Sequence, residues 1–274
     1  MRVGVLIDGA PADAVGVDSR ALNYGDGLFE TLLVQDGCAV WLGEHLARLR
    51  RGCEALGLRM PDPDLLAFEA GELCAGQQRA VLKILLAREG AGRGYAPEPG
   101  ARSQRILSLH AAPPLVAADY VDGVSLRWCE TRLALQPRLA GFKHLNRIEN
   151  VLARAELANT GAAEGLMLDT AGRVTCATAA NVFALRGGRL RTPSLRAAGI
   201  AGICRDWVMT RAEVEIGELL PQDIERADGV FVCSSLRGIL PAARLGARTY
   251  RPQPLIAGLQ AQLWSEVPAL APQA

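Results

Sequence analysis

Apolar and polar positions along this chain repeat with two different periods, and the switches between them outline its elements. Val3 to Ile7 is a short apolar run closed by Asp8-Gly9. Gly27 to Val34 is a second, closed by Asp36-Gly37 and followed by Ala39 to Leu42, a strand, turn, strand pattern. From about Glu44 to Leu56 the period lengthens. Leu46, Leu49, Cys53 and Leu56 recur at spacings of three and four, which places them on one helix face with Arg50, Arg51 and Glu54 opposite, and Gly57 ends the run. Ala80 to Ala87 and Arg105 to Leu109 read as strands flanking Arg88 to Arg102, a loop rich in Gly, Pro and Arg whose length marks function or mobility.

Ala111-Ala112-Pro113-Pro114 cannot continue a ladder or a helix, so the domain boundary falls there, giving 1–114 and 115–274. The second half opens with a strand from Val124 to Glu130. It reaches a helical pattern in which Ile148, Val151, Leu152 and Ala155 form an apolar face expected to be buried. Strands follow at Gly165 to Leu168, Arg173 to Thr178, Asn181 to Leu185, Leu190 to Thr192 and Gly229 to Cys233. One helix starts after Gly199-Ile200-Ala201-Gly202, and another spans Pro254 to Val267. Strands and helices mix without regular alternation, so the fold class is α+β rather than doubly wound.

Composition narrows the function. Half of the 274 residues are hydrophobic, enough for a sizeable core, while 30 basic residues against 29 acidic ones leave no electrostatic footprint for nucleic acid or a membrane surface. The expected partner is a small molecule. The N-terminus lacks a signal-peptide pattern and no apolar run approaches the roughly 20 residues of a spanning helix, so a cytoplasmic location is expected. Seven scattered cysteines and three dispersed histidines fit neither a disulfide framework nor a metal site, and no metal is expected.

One amine stands out. Lys143 lies in the loop Gly141 to Arg147 that feeds the Ile148 helix, where lost hydration lowers an amine's pKa toward neutrality and makes it nucleophilic. Gly199 to Arg205 sets glycines before a helix whose open N–H groups can hold a phosphate, and Cys233 to Gly238 is a second donor-rich turn after a strand. A reactive lysine with two phosphate cradles suggests pyridoxal 5'-phosphate.

Several segments carry a resemblance: Asp18-Ser19-Arg20 with Tyr24 to Thr31, His45 to Leu49, Lys143-His144-Leu145-Asn146-Arg147, Ala179 to Phe183 and Gly199 to Arg205. In that order they resemble the fold-type IV pyridoxal-phosphate enzymes, and within them the aminodeoxychorismate lyases, over nearly the whole chain. The resemblance implies a small N-terminal α/β domain, a larger barrel-like C-terminal domain bearing Lys143, and a homodimer. It implies a lyase that makes 4-aminobenzoate and pyruvate for folate synthesis, with a D-amino acid or branched-chain aminotransferase as the alternative on the same fold.

Residue by residue, the resemblance assigns Lys143 to the covalent link with the cofactor and to proton transfer. It assigns Arg48, the backbone N–H groups of Ile203 and Cys204, and the Ser235–Leu236 turn to the cofactor phosphate. Thr31 matches a threonine near cofactor and substrate where the aminotransferases have glycine. Arg93 and Tyr95 match a substrate loop, and Arg88, Arg93 and Arg147 remain alternatives for the substrate carboxylates. At position 176 the family pattern has a glutamate that pairs with the protonated pyridine nitrogen. This chain has Cys176, whose thiol gives at most a weak hydrogen bond. The departure leaves open a tuned lyase, a weakened enzyme or a non-catalytic relative.

Overall fold

The computed structural model describes residues 2–90 and 94–272 and divides into two compact units. One comprises 1–113 with Phe142–Asn146, and the other comprises Pro114–Gly141 with Arg147–Ala274. The lysine segment thus groups with the first unit although it lies in the second half of the sequence.

The first unit is an antiparallel sheet in the order Ala10–Pro11, Arg2–Ile7, Ser103–Ala111, Arg79–Arg88, Gly27–Gln35 and Cys38–Ala39. Two helices, Leu42–Leu56 and Pro63–Cys74, cover one face. Along Gly27–Gln35 the strand period sends Leu28, Leu32 and Val34 into the helix-side core with Leu49, Cys53 and Leu66, and turns Phe29 and Thr31 to the opposite face. Gly57 closes the first helix in the left-handed region, φ 61°, and Leu58 N–H returns to Cys53 O at 2.8 Å. The second helix starts where Asp62 accepts the Asp64 N–H at 2.9 Å, with Pro63 in its first turn.

The second unit is a mixed nine-stranded sheet. Its main path runs Val214–Gly217, Arg189–Pro193, Asn181–Arg186, Gly229–Ser234, Gly238–Leu245, Val124–Trp128, Glu164–Leu168 and Val174–Ala177, with Arg248–Thr249 beside Gly238–Leu245. The Val124–Trp128 strand pairs in parallel with both neighbours. Gly229–Ser234, antiparallel to both its neighbours, is buried on both faces, which is why it reads as continuous hydrophobics rather than an alternation. Its core holds Val182, Val230, Val232, Leu166 and Leu240, and Phe183 and Phe231 stack at 4.7 Å.

One expectation is overturned. The helix Ile148–Ala155 seats Ala153 in the core, while Ile148 is 67%, Val151 59% and Leu152 53% exposed. Its periodicity is read correctly, but a small residue and Asn150, which donates to Thr178 O at 3.1 Å, make the inner contact. The apolar stripe faces out of the single chain.

Candidate active site

In the first unit, Lys143–Leu145 lies along the open edge of the Gly27–Gln35 strand. Phe29 N–H donates to Lys143 O at 2.9 Å, Leu145 N–H donates to Gly27 O at 3.0 Å, and Leu28 bridges His144. This pairing turns Lys143 to the same sheet face as Phe29. Its Nζ lies 4.2 Å from the Phe29 ring centroid, a cation held against an aromatic face. Close approach is a requirement at Gly27, where a Cβ would meet Leu86 O at 2.2 Å.

The face around Lys143 contains a residue the sequence reading passed over. Thr31 stands directly opposite Lys83 in the neighbouring strand, and Lys83 Nζ lies 5.3 Å from the same Phe29 ring. A signal for it was present: of the 30 basic residues only two are lysines, and both contact this one aromatic side chain. Thr31 is half-buried there.

Behind this face, toward the helices, lies a buried charge cluster. Arg48 donates to both oxygens of Glu30, Nε to Oε1 at 2.8 Å and Nη2 to Oε2, and His45 Nδ1 sits 2.6 Å from Oε2. Glu30 is 1%, His45 0% and Arg48 6% exposed. Burial alone would raise the Glu30 carboxyl, but the hydrogen bonds and charges of Arg48 and His45 hold it down at about 2. Burial pushes the His45 imidazole below its ordinary range, and the Lys143 charge adds to that. Arg48 is therefore buried by ion pairing and not by packing alone.

The loop that follows Lys83 departs from expectation. Arg88 is tied into the fold: Nε donates to Asp26 at 3.0 Å, Nη1 to Gly57 O and Nη2 to Leu56 O, both at 2.7 Å. It closes the helix end at Gly57, so its place among the substrate arginines is withdrawn. Tyr95 is 87% exposed, its ring edge-on to Tyr24 at 5.5 Å. Arg20, 4% exposed, donates to Gly94 O and Tyr95 O and anchors that stretch. Arg93 lies outside the described residues.

In the second unit the two cradles meet. Helix Ile203–Arg211 makes its first internal bond from Asp206 N–H to Gly202 O at 2.9 Å, so the N–H groups of Ile203 and Cys204 precede any helical acceptor. Cys204 and Cys233 hydrogen-bond through their side chains, which sets this helix start beside the Ser234–Arg237 turn containing Ser235 and Leu236. Asn181 Nδ2 donates to Ile200 O at 2.9 Å, and a Cβ on Gly202 would lie 2.0 Å from Asn181 Oδ1, so only glycine fits. Arg205 is 5% exposed, with a buried Nε that has no hydrogen-bond partner. Open N–H groups, a dipole end and a desolvated cation beneath fit a phosphate dianion. Cys176 and Arg147 also belong to this unit. Burial pushes the Cys176 thiol up to about 12, and Arg147, half-buried before the Ile148–Ala155 helix, contributes an opposing positive charge.

Among the described residues no group of side chains could hold a metal ion, and no helix is long and apolar enough to cross a membrane. The class IV aminotransferase family profile matches residues 27–245. An aminodeoxychorismate lyase from Vibrio harveyi is 32% identical, over 88% of this chain and 91% of its own length. The crystal structure of 4-amino-4-deoxychorismate lyase from Pseudomonas aeruginosa superposes with a TM-score of 0.92 at 41% identity, covering 96% of this chain and 99% of that one. A T.th. branched-chain aminotransferase, solved with pyridoxamine 5'-phosphate, shares the fold at a TM-score of 0.85 and 22% identity, over 99% and 96% of the two chains.

Proposed function

The chain belongs to the class IV aminotransferase family, and we propose that within it the protein is a pyridoxal-phosphate-dependent lyase converting 4-amino-4-deoxychorismate to 4-aminobenzoate and pyruvate. The product would serve folate synthesis. The observation that carries this reading is the pair of lysines on Phe29. An α-amino acid has its carboxylate on the carbon that bears the amine. The lyase substrate holds a carboxylate across a six-membered ring from its amine, and a second cation set one aromatic ring away from Lys143 suits that spacing.

Pyridoxal 5'-phosphate, when bound, supplies the electron sink that weakens the C–H bond beside the substrate amine. The Ile203 and Cys204 N–H groups and the Ser235–Leu236 turn would hold its phosphate. Lys143 would hold the cofactor, and its amine is the base that would take the proton from the ring carbon bearing the substrate amine. Phe29 positions the amine of Lys143. Thr31 offers a hydroxyl on the same face, suited to the departing enolpyruvyl oxygen. Lys83 grips the ring carboxylate, and Arg147, Arg93 and Tyr95 remain candidates for the second carboxylate. Loss of the enolpyruvyl group leaves an aromatic ring, which drives the reaction forward.

Two coarser features follow. The exposed stripe Ile148, Val151 and Leu152 suits burial against a second copy in a homodimer. Free thiols throughout, including the hydrogen-bonded pair Cys204 and Cys233, suit the reducing cytoplasm. The test is incubation with aminodeoxychorismate and no keto acid. Equal formation of 4-aminobenzoate and pyruvate supports the lyase, whereas turnover that requires a keto-acid acceptor supports an aminotransferase and sinks it.

A further inference from the structure

Within the first unit, the sheet face that carries Phe29 and Thr31 continues across the next strands into a cavity of about 270 Å3. Strand register sets its floor. Thr31 stands opposite Lys83, Lys83 opposite Ser108 and Ser108 opposite Val5, whose carbonyl accepts the Ala12 N–H at 3.4 Å. The neighbouring row runs Phe29, Leu85, Ile106 and Ile7, so the floor is apolar along one side. Polar groups stand at its two ends. Lys83 borders the cavity together with Ser108 and His110, and Ser108 Oγ lies 2.9 Å from His110 Nε2. With either tautomer that pair has a second donor, the Ser108 O–H or the His110 Nδ1–H. Asp13, one residue past Ala12, lines the opposite side, and the row from Lys83 to Ala12 crosses three strand gaps, about 14 Å of backbone. Ser108 is also three gaps, about 14 Å, from the Lys143 segment along the Gly27–Gln35 edge, so a single ring whose amine meets Lys143 does not fill this cavity. Lys83 alone belongs to both places, since its Nζ lies 5.3 Å from the Phe29 ring.

We infer that this cavity is a second ligand site, for a flat ring bearing a carboxylate at one end and an amine at the other, the class to which 4-aminobenzoate belongs. The carboxylate meets Lys83 and the Ser108–His110 pair, the amine donates to Asp13, and the ring lies over Ile7, Leu85 and Ile106. Size agrees with this, because an apolar cavity of about 150 Å3 already holds benzene. The choice of ligand rests on the lyase reading above, whereas the cavity and its charges do not depend on it. A carboxylate bound here draws the Lys83 amine away from Phe29. Product held in the cavity thereby removes the second cation from the face that bears Lys143 and slows the next turnover.

The test is NMR titration of holoenzyme carrying ring-labelled histidine with 4-aminobenzoate, which reads the chain's three histidines separately. The His110 resonance is expected to shift saturably. Benzoate, which lacks the amine, and aniline, which lacks the carboxylate, should each need about tenfold more ligand to reach the midpoint of that shift. Ile106→Trp, which fills the cavity, should raise the midpoint for 4-aminobenzoate at least about tenfold and weaken its inhibition of turnover to the same extent. An unmoved His110 resonance, benzoate that matches 4-aminobenzoate, or inhibition unchanged in Ile106→Trp overturns the inference. If that variant does not fold, the three ligands on the wild type still decide it. A shifted His110 in a protein that makes no 4-aminobenzoate from aminodeoxychorismate removes the lyase reading and retains the site, whereas an active lyase whose His110 does not move removes the site alone.

Discussion

Replacing Glu30 by Gln removes the anion from a cluster that is otherwise all cation and imidazole. Glu30 is 1% exposed, Arg48 donates to both its oxygens, and its carboxyl is held at about 2 against an ordinary 4.5. That difference converts to about 3 kcal/mol of stability at neutral pH. An independent route agrees, since leaving one buried charge without its partner costs about 3–5 kcal/mol. Because the folded carboxyl is depressed, the stabilisation is complete above the unfolded value near 4.5 and fades as pH falls toward 2. By about pH 3 it should have dropped to between roughly 1 and 2 kcal/mol. The assay is urea unfolding of wild type and Glu30→Gln at several pH values between about 7 and 3, compared at matched slope. The expected result is a gap of about 3 kcal/mol that narrows on acidification. A gap below about 1 kcal/mol at neutral pH, or one independent of pH, refutes the reasoning.

Gly202→Ala puts a methyl group 2.0 Å from Asn181 Oδ1 and forces Asn181 off Ile200 O. Cofactor affinity measured by equilibrium dialysis should fall more than about tenfold, with a stability loss of about 1–3 kcal/mol. Arg88→Met removes three internal donors and should cost about 2–3 kcal/mol in thermal unfolding while leaving the KM for substrate unchanged; a raised KM would return Arg88 to the substrate site. Leu152→Asp with Val151→Asp on the exposed stripe should shift the protein to monomer by light scattering, and an unaltered oligomeric state would remove that face from the interface.

The fold is legible in the sequence where local chemistry and burial agree. Gly57 and the Leu46, Leu49, Cys53 period outline the first long helix, and Asp36-Gly37 marks its strand turn. The two cradles are legible because glycine before a helix has a physical reason, although their adjacency through Cys204 and Cys233 needs the fold. The exposed stripe misleads because periodicity reveals an apolar face without saying what covers it. Arg88 misleads because an arginine beside glycines looks the same whether it meets a ligand or closes a helix end. Lys83 is visible only as a rare residue type, since its relation to Lys143 runs across strand pairing distant in sequence. The family resemblance supplies roles for Lys143, Arg48 and Thr31 that spacing alone does not.

The central claim is that Lys143, and not Lys83, is the amine that holds the cofactor and moves the proton. The direct measurement is borohydride reduction of the holoenzyme followed by peptide mass mapping, with product assays on Lys143→Ala. The account predicts the reduced cofactor on the peptide containing Lys143, and loss of both 4-aminobenzoate and pyruvate formation in the variant. Cofactor mass on the Lys83 peptide, or a Lys143→Ala protein that still releases both products at the wild-type rate, would contradict it.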